Sequence, residues 1–317
     1  MDETLAMGKY TFCCRFNREG ILPRFKGSTF RGVFGVALKQ VVCALKTREC
    51  TDCPLNTRCL YALVFETPVA RAVPADSRMN APPHPFVIEP PATEKESFQA
   101  GDAFACDLLL FGDANAQLPY FVYAFDRIGR LGIGRRIDGK RGGFELEKVM
   151  CGAHVVYTKA DEKIRANGFF DKLPRPEKTA PANADLRLKV ALKTPLRLKY
   201  KNRIKADLPF HVLARAMLRR VSSLFACYAG GEPDLDYKGM LQRAEGIKTV
   251  SNHLKWHAWE RFSNRQKQRM PMGGLIGSVT YEGRLGEFLQ VMDICAKVHV
   301  GKNTTFGLGQ LTAVIEN

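Results

Sequence analysis

Apolar and polar positions along the chain alternate between two rhythms. Lys9 to Phe16 is rich in β-branched and aromatic residues and predicts a strand, turned by Asn17-Arg18-Glu19-Gly20. Leu22 to Ser28 is a basic loop ending in an N-cap candidate, Ser28. Phe30, Val33, Phe34, Ala37, Leu38, Val41, Val42 and Leu45 then recur at the three-four spacing of a buried helical stripe. Gly32 and Gly35 cost that helix roughly 1 kcal/mol each. They predict either tight helix–sheet packing or the close approach of another backbone there. Residues 66–97, with Pro82-Pro83-His84-Pro85 and Pro90-Pro91, read as a connector. Phe104 to Phe111 predicts a strand, Leu118 to Arg127 a helix opened by Pro119, and Phe144 to Tyr157 a strand. Between the last two lies a glycine-rich basic stretch, Gly129 to Arg136.

From Asp161 to Asp185 the chain turns polar and proline-bearing, which places a boundary there. The scheme then restarts. Leu186 to Leu192 predicts a strand and Arg197 to Lys205 a basic loop. Pro209 opens a helix with Phe210, Leu213, Met217, Val221, Leu224 and Phe225 on one side and Arg215, Arg219 and Arg220 on another. Leu254 to Asn264 and Leu275 to Tyr281 predict strands, and Leu285, Phe288, Leu289 and Met292 a last helix. Val298 to Gln310 carries a glycine loop into a final strand. Each half opens strand, basic loop, helix and ends near a glycine-rich turn. The order predicts an α+β protein with a loose internal duplication: 1–160, a linker at 161–185, and 186–317.

Charge narrows the partners. Lysine and arginine number 48 against 32 acids, a net +16 over 317 residues. A surplus that large points to a polyanion, most often nucleic acid. No segment reaches the roughly 18 uninterrupted apolar residues of a membrane helix. Met1-Asp2-Glu3-Thr4 lacks a signal-peptide core, so the expected compartment is the cytosol and the ten cysteines are expected as thiols or ligands. Cys43, Cys50, Cys53 and Cys59, spaced C-x6-C-x2-C-x5-C, read as a compact metal knuckle. Zinc is the first choice and an iron–sulfur cluster the alternative, with unligated thiols a third reading. Four thiolates leave no open position, so the site is structural.

Two stretches carry candidate nucleic-acid contacts. Gly301-Lys302-Asn303-Thr304-Thr305-Phe306-Gly307-Leu308-Gly309 breaks any helix or flat strand and can align backbone N–H groups as an anion-binding nest. Lys302 adds a charge, and Thr304 and Thr305 add hydroxyls. The stretch is not a P-loop, because no Gly-Lys-Ser/Thr triplet opens a helix after a strand, and not a dinucleotide fingerprint, because no helix or second strand follows. The second stretch interleaves Arg261, Arg265, Lys267 and Arg269 with Trp259 and Phe262. Cations grip phosphates while flat rings stack on unpaired bases.

Three motifs together resemble one family. They are Gly27-Ser28-Thr29-Phe30-Arg31-Gly32-Val33-Phe34-Gly35 with the cysteine knuckle, Trp259 to Gln266 with Met272-Gly273-Gly274-Leu275-Ile276-Gly277, and His299 to Gly309. The chain is similar to the CRISPR-associated RAMP endoribonucleases that cut precursor CRISPR RNA, the sixth Cas family; the knuckle is similar to that of one branch. The resemblance implies two tandem ferredoxin-like, RRM-related βαββαβ domains, the knuckle inserted in the first. It implies repeat RNA bound in a basic cleft, other Cas effector subunits as partners, no DNA bound directly, and cleavage without a catalytic metal.

The chemistry so implied is transesterification. A 2′-hydroxyl attacks the adjacent phosphate and leaves a 2′,3′-cyclic phosphate and a 5′-hydroxyl, helped by a base, an acid and cations for the phosphorane charge. The family often places a histidine in or beside the first helix; this chain has none before His84. Arg24, Lys26, Ser28 and Arg31 occupy the stretch where the family puts its active site, with Arg24, Lys26 and Arg31 as expected phosphate stabilisers. His211, in the first turn of a helix, and His257, beside Trp256, compete for the base. The rival expectation is a non-catalytic RAMP subunit that caps the guide RNA.

Overall fold

A computed structural model describes residues 4–46, 48–74, 77, 79–165, 168–178, 184–198, 207–263 and 268–316. The chain divides into two units, Met1–Leu173 with Cys227–Ala229, and Pro174–Ala226 with Gly230–Asn317.

The first unit runs β1 (Thr4–Phe16), α1 (Gly27–Val42), β2 (Phe86–Glu89), β3 (Ala103–Phe111), α2 (Leu118–Leu131) and β4 (Phe144–Cys151). Its antiparallel sheet is ordered β2-β3-β1-β4, extended by a strand at His154–Thr158. Period-two burial on β1 sends Tyr10, Phe12, Cys14 and Phe16 inward. There the Phe12 and Phe125 rings stack with centroids 4.0 Å apart, and Phe34 meets Phe65, Phe86, Phe121 and Phe125. The α1 stripe is buried through Phe30, Phe34, Ala37 and Leu38. A Cβ on Gly35 would stand 3.0 Å from the Phe65 ring, so tight packing explains that glycine; Gly32 faces open space.

The second unit repeats the order: β5 (Leu186–Leu196), α3 (Phe210–Tyr228), β6 (Lys248–Asn252), β7 (Gly274–Gly283), α4 (Leu289–Val298) and β8 (Leu311–Glu316). Its antiparallel sheet is ordered β6-β7-β5-β8. In both units the second, third, first and fourth strands lie side by side in that order. Leu213, Met217, Leu224 and Phe225 of α3 are buried as the stripe predicts.

Several expectations are corrected. Residues 66–97 are more than a connector: they hold a short helix at Thr67–Ala70, β2, and a strand at Ser97–Phe98. Phe86, Val87 and Ile88 are wholly buried, and that apolar run was hidden among prolines. The expected strand Leu254 to Asn264 is broken into Lys255–His257 and Glu260–Ser263. The break falls where the Trp259 carbonyl accepts from both Met272 and Gly273. A short strand at Asp171–Pro174 pairs with β1, so the first unit's sheet reaches into the expected 161–185 linker. Helix α1 starts at Gly27 with Lys26 at the cap position, and Ser28 sits in the first turn without capping it.

Candidate nucleic-acid interface

In both units several outward cations of the central strand are matched by acids. Lys9 lies 2.6 Å from Glu89 and 3.0 Å from Asp107, and Arg15 is 2.6 Å from Glu147. Arg187 lies 2.5 Å from Glu282, and Lys189 is 3.5 Å from Glu316. These pairs neutralise part of the charge on the sheet faces, where Lys148, Lys193 and Lys248 also stand exposed. Other basic elements sit at connections.

The connection from α4 to β8 is the glycine loop. It is built from its own hydrogen bonds. Arg220, expected on a basic face, is buried; its Nη2 donates to Val298 O at 2.8 Å and its Nε to His299 O at 3.1 Å, closing the C-terminus of α4. His299 is buried at φ 59°, with Nδ1 3.0 Å from Leu308 O. Val300 N donates to Gly309 O, Lys302 N to Arg197 O, Phe306 N to Asn303 O, Gly307 N to Thr304 O and Gly309 N to Pro195 O. Thr194 Oγ1 donates to Gly307 O at 2.8 Å and accepts from Gln310 N at 2.9 Å. Gly309 has φ +76°, and a Cβ there would lie 1.8 Å from Val300 O. A Cβ on Gly301 would lie 2.7 Å from Arg197 O.

These bonds occupy part of the nest's donors. The amides of Lys302, Phe306, Gly307 and Gly309 already have partners inside the chain, and Thr304, Thr305, Phe306, Gly307 and Gly309 are buried. The glycines serve compactness. What the loop offers outward is Lys302, which is exposed.

The basic stretch forms a two-stranded antiparallel ribbon, Glu260–Ser263 with Gln268–Pro271. Arg261 links it to the loop: its guanidinium sits 4.7 Å from the centroid of the Phe306 ring, and its Nη2 is 3.3 Å from Met270 Sδ. Burial lowers the Arg261 pKa. Arg197 links the ribbon's foot to the same place: Nη1 donates to Pro271 O at 3.0 Å and Gly273 O at 3.3 Å, while its own carbonyl accepts from Lys302. Ribbon, loop and the end of β5 are thus one assembly. Trp259 stands half-buried at its foot. Arg265 and Lys267 lie outside the described residues, and Arg269 is described by its backbone pairing with Phe262 alone. Sequence reasoning nominated ribbon and loop separately. It missed Arg197, Arg220 and Thr194, which join and brace them through backbone carbonyls and carry no motif.

The nominated catalytic residues fall in both units. In the first, Lys26 is corrected from a free phosphate ligand to a buried brace. Its ammonium donates to Thr93 O at 2.6 Å and Arg24 O at 3.1 Å, and burial lowers its pKa against the pull of Glu96 and Glu94. Arg24 is exposed and 3.1 Å from Glu94. The Arg31 guanidinium lies 5.2 Å from the Phe65 ring centroid. In the second unit His211 is half-exposed at the start of α3, and His257 is exposed on a strand, paired with Gly274.

Cys43, Cys50, Cys53 and Cys59 are half-buried free thiols. Their donor chemistry suits zinc. Burial raises the Cys50 pKa, and Cys59 and Cys43 are near enough to add to it. Among the described residues, however, no three His, Cys, Asp or Glu side chains are grouped to hold a metal. Among the described residues no helix is long and apolar enough to cross a membrane.

Comparison with known proteins adds the context. The family model AF_1859_N, an N-terminal domain, matches residues 5–169, more than half of the chain. The family model of the CRISPR-associated endoribonuclease Cas6 matches residues 190–311, which include α3, the ribbon and the whole glycine loop. An uncharacterized protein of Archaeoglobus fulgidus is 24% identical over 296 residues, 91% of each chain. A partial Cas6-RT-Cas1–Cas2 complex superposes on 98% of this chain with a TM-score of 0.56 at 12% identity, and the chain spans 46% of that protein's length. A Cas6 product complex gives 0.53 at 12% identity over 98% of this chain and 99% of its own, and Thermus thermophilus Cas6 gives 0.50 at 11% over the same shares. At these identities the solved structures show a shared fold.

Proposed function

We propose a function from one premise: the chain belongs to the AF_1859_N family, and its second half matches the CRISPR-associated endoribonuclease Cas6. The protein cuts CRISPR repeat RNA within its precursor and stays on the repeat hairpin. Both β-α-β-β-α-β units are read as ferredoxin-like. The observation that carries this is the ribbon–loop assembly of the second unit, held together by Arg261 on Phe306 and by Arg197. It lies inside the Cas6 match and gathers Trp259 and Lys302 beside the basic ribbon.

Cleavage proceeds by 2′-hydroxyl attack on the adjacent phosphate, without a catalytic metal. Arg24 and Arg31 stabilise the phosphorane, Ser28 donates to a phosphate oxygen, and Lys26 positions the α1 start on which they stand. A general base takes the proton of the attacking hydroxyl. The four cysteines close on a structural zinc when the ion is present; about one zinc per purified chain is expected by metal analysis, and a zinc-free folded protein would end that part. Solved relatives include a complex with Cas1 and Cas2; other Cas proteins are accordingly proposed as partners.

A second reading, an RNA-binding subunit that does not cut, is favoured by one observation: Lys26 and Arg24 are already engaged, one with carbonyls and one with Glu94. One gel separates the two. Labelled repeat RNA incubated with the protein in EDTA should yield a single cut, lost when the nucleotide before the scissile phosphate is 2′-deoxy. Intact RNA in all lanes would favour the second reading, and cutting that survives 2′-deoxy substitution would refute the mechanism.

A further inference from the structure

The first unit has its own connection at the place where the second unit carries the glycine loop, between its second helix and its fourth strand. It is Ile133-Gly134-Arg135-Arg136-Ile137-Asp138-Gly139-Lys140-Arg141-Gly142-Gly143. Four cations against Asp138 make it +3 in eleven residues. It folds as a hairpin, Ile133–Ile137 against Lys140–Gly142. The turn is Asp138-Gly139 at φ 47° and 79°, the left-handed pair that a two-residue hairpin of this kind demands.

Some cations of the first unit are paired with acids: Lys9, Arg15, Arg24, Lys95, Arg130 and Arg165 each lie against one. Others, such as Arg58 and Lys148, stand exposed singly among the described residues. Arg135, Arg136, Lys140 and Arg141 are all exposed, and no ion pair is recorded for them among the described residues. Arg141 reaches only Gly134 O, at 2.8 Å. Arg136 and Arg141 flank the Ile137–Lys140 pair from opposite strands, where like charges are unfavourable without a counter-charge. Protection of a sheet edge explains basic residues on the outer strand, Lys140 and Arg141. It does not explain Arg135 and Arg136, because their strand is covered by Gly20–Ile21 on its other side, through Ile21 opposite Arg135. That neighbouring strand leads directly into Arg24 and α1.

We propose that this hairpin is a second RNA contact, gripping phosphates of a bound RNA. The proposal rests on the RNA-binding reading above. The hairpin has no aromatic residue, so it offers nothing for bases to stack on. Its contribution is therefore sequence-independent, equal on the repeat and on unrelated RNA, and strongly dependent on salt.

The test measures binding of the full chain to labelled repeat RNA and to an unrelated single strand of the same length, across a salt series. Each phosphate contact on single-stranded RNA adds about 0.7 to the slope of log affinity against log salt, so removing four should lower it by about 3. The variant replaces Arg135, Arg136, Lys140 and Arg141 with Gln. A double variant, Arg136→Gln with Arg141→Gln, should lose about half as much, and serves if the quadruple one fails to fold. Arg135→Lys, Arg136→Lys and Arg141→Lys together should keep the wild-type slope. If the wild type shows the salt dependence and the Gln variants keep its full slope, the hairpin proposal falls and the RNA-binding reading stands. If the wild type binds neither RNA, both fall. Loss of binding to phosphatidylserine vesicles with an unchanged RNA slope would overturn the proposal in favour of a lipid surface.

Discussion

The two units solve one topological problem in opposite ways. Each must lead its second helix back to its fourth strand. The second unit does so with a loop whose amides and carbonyls bond inward, buried except near Lys302. The first does so with a hairpin that stands out and carries four exposed cations. The same slot is filled once by packing and once by charge. The difference teaches that glycine richness alone does not mark an anion site. In the loop the glycines permit backbone crossings closer than any side chain allows; in the hairpin Gly134 and Gly142 do the same against Ile21 O and Gly20, while Gly139 only turns the chain.

Substitutions that act on one connection and spare the other sharpen this contrast. Gly309→Val should be the most damaging, because its Cβ would overlap Val300 O in a left-handed backbone. A loss of about 3 kcal/mol is expected in urea denaturation. Gly139→Ala, with open space around its Cβ, should lose only about 1 kcal/mol from the same left-handed strain. Equal losses would erase the contrast. Lys26→Met comes next. It strands the carbonyls of Arg24 and Thr93 and should cost about 2 kcal/mol, while the salt slope of RNA binding stays within error. A lowered slope with unchanged stability would return Lys26 to the phosphate. Arg261→Ala should cost about 1 kcal/mol by freeing the ribbon from Phe306, and should weaken binding to repeat RNA more than to unrelated RNA. Smallest of all should be the stability change from the hairpin Gln variants, within about 0.5 kcal/mol, since exposed side chains away from the core rarely matter more.

Much of the fold was legible. The α1 and α3 stripes, the strand periodicity and the repeated element order are local patterns, and they carried the duplication without any identity between the halves. Strand β2 was not legible, because three apolar residues between prolines look like a connector until β3 lies beside them. The site was half legible. Ribbon and loop were found from composition, since clustered cations and glycines survive in one dimension. That they touch was not, because it depends on Arg261 meeting a ring 45 positions away and on Arg197 bonding carbonyls, which any residue supplies. Lys26 was misread for the same reason: nothing in the sequence separates a lysine in solvent from one folded over Thr93.

The central claim is that RNA is held through the connections and the ribbon rather than across the open sheet faces. Photocrosslinking of 4-thiouridine-substituted repeat RNA to the intact protein, with the crosslinked residues read by mass spectrometry, tests it most directly. The account predicts adducts at Trp259, at or beside Lys302, and on the hairpin Ile133–Gly142. Adducts confined to the strands bearing Lys9, Arg15, Arg187 and Lys189 would contradict it.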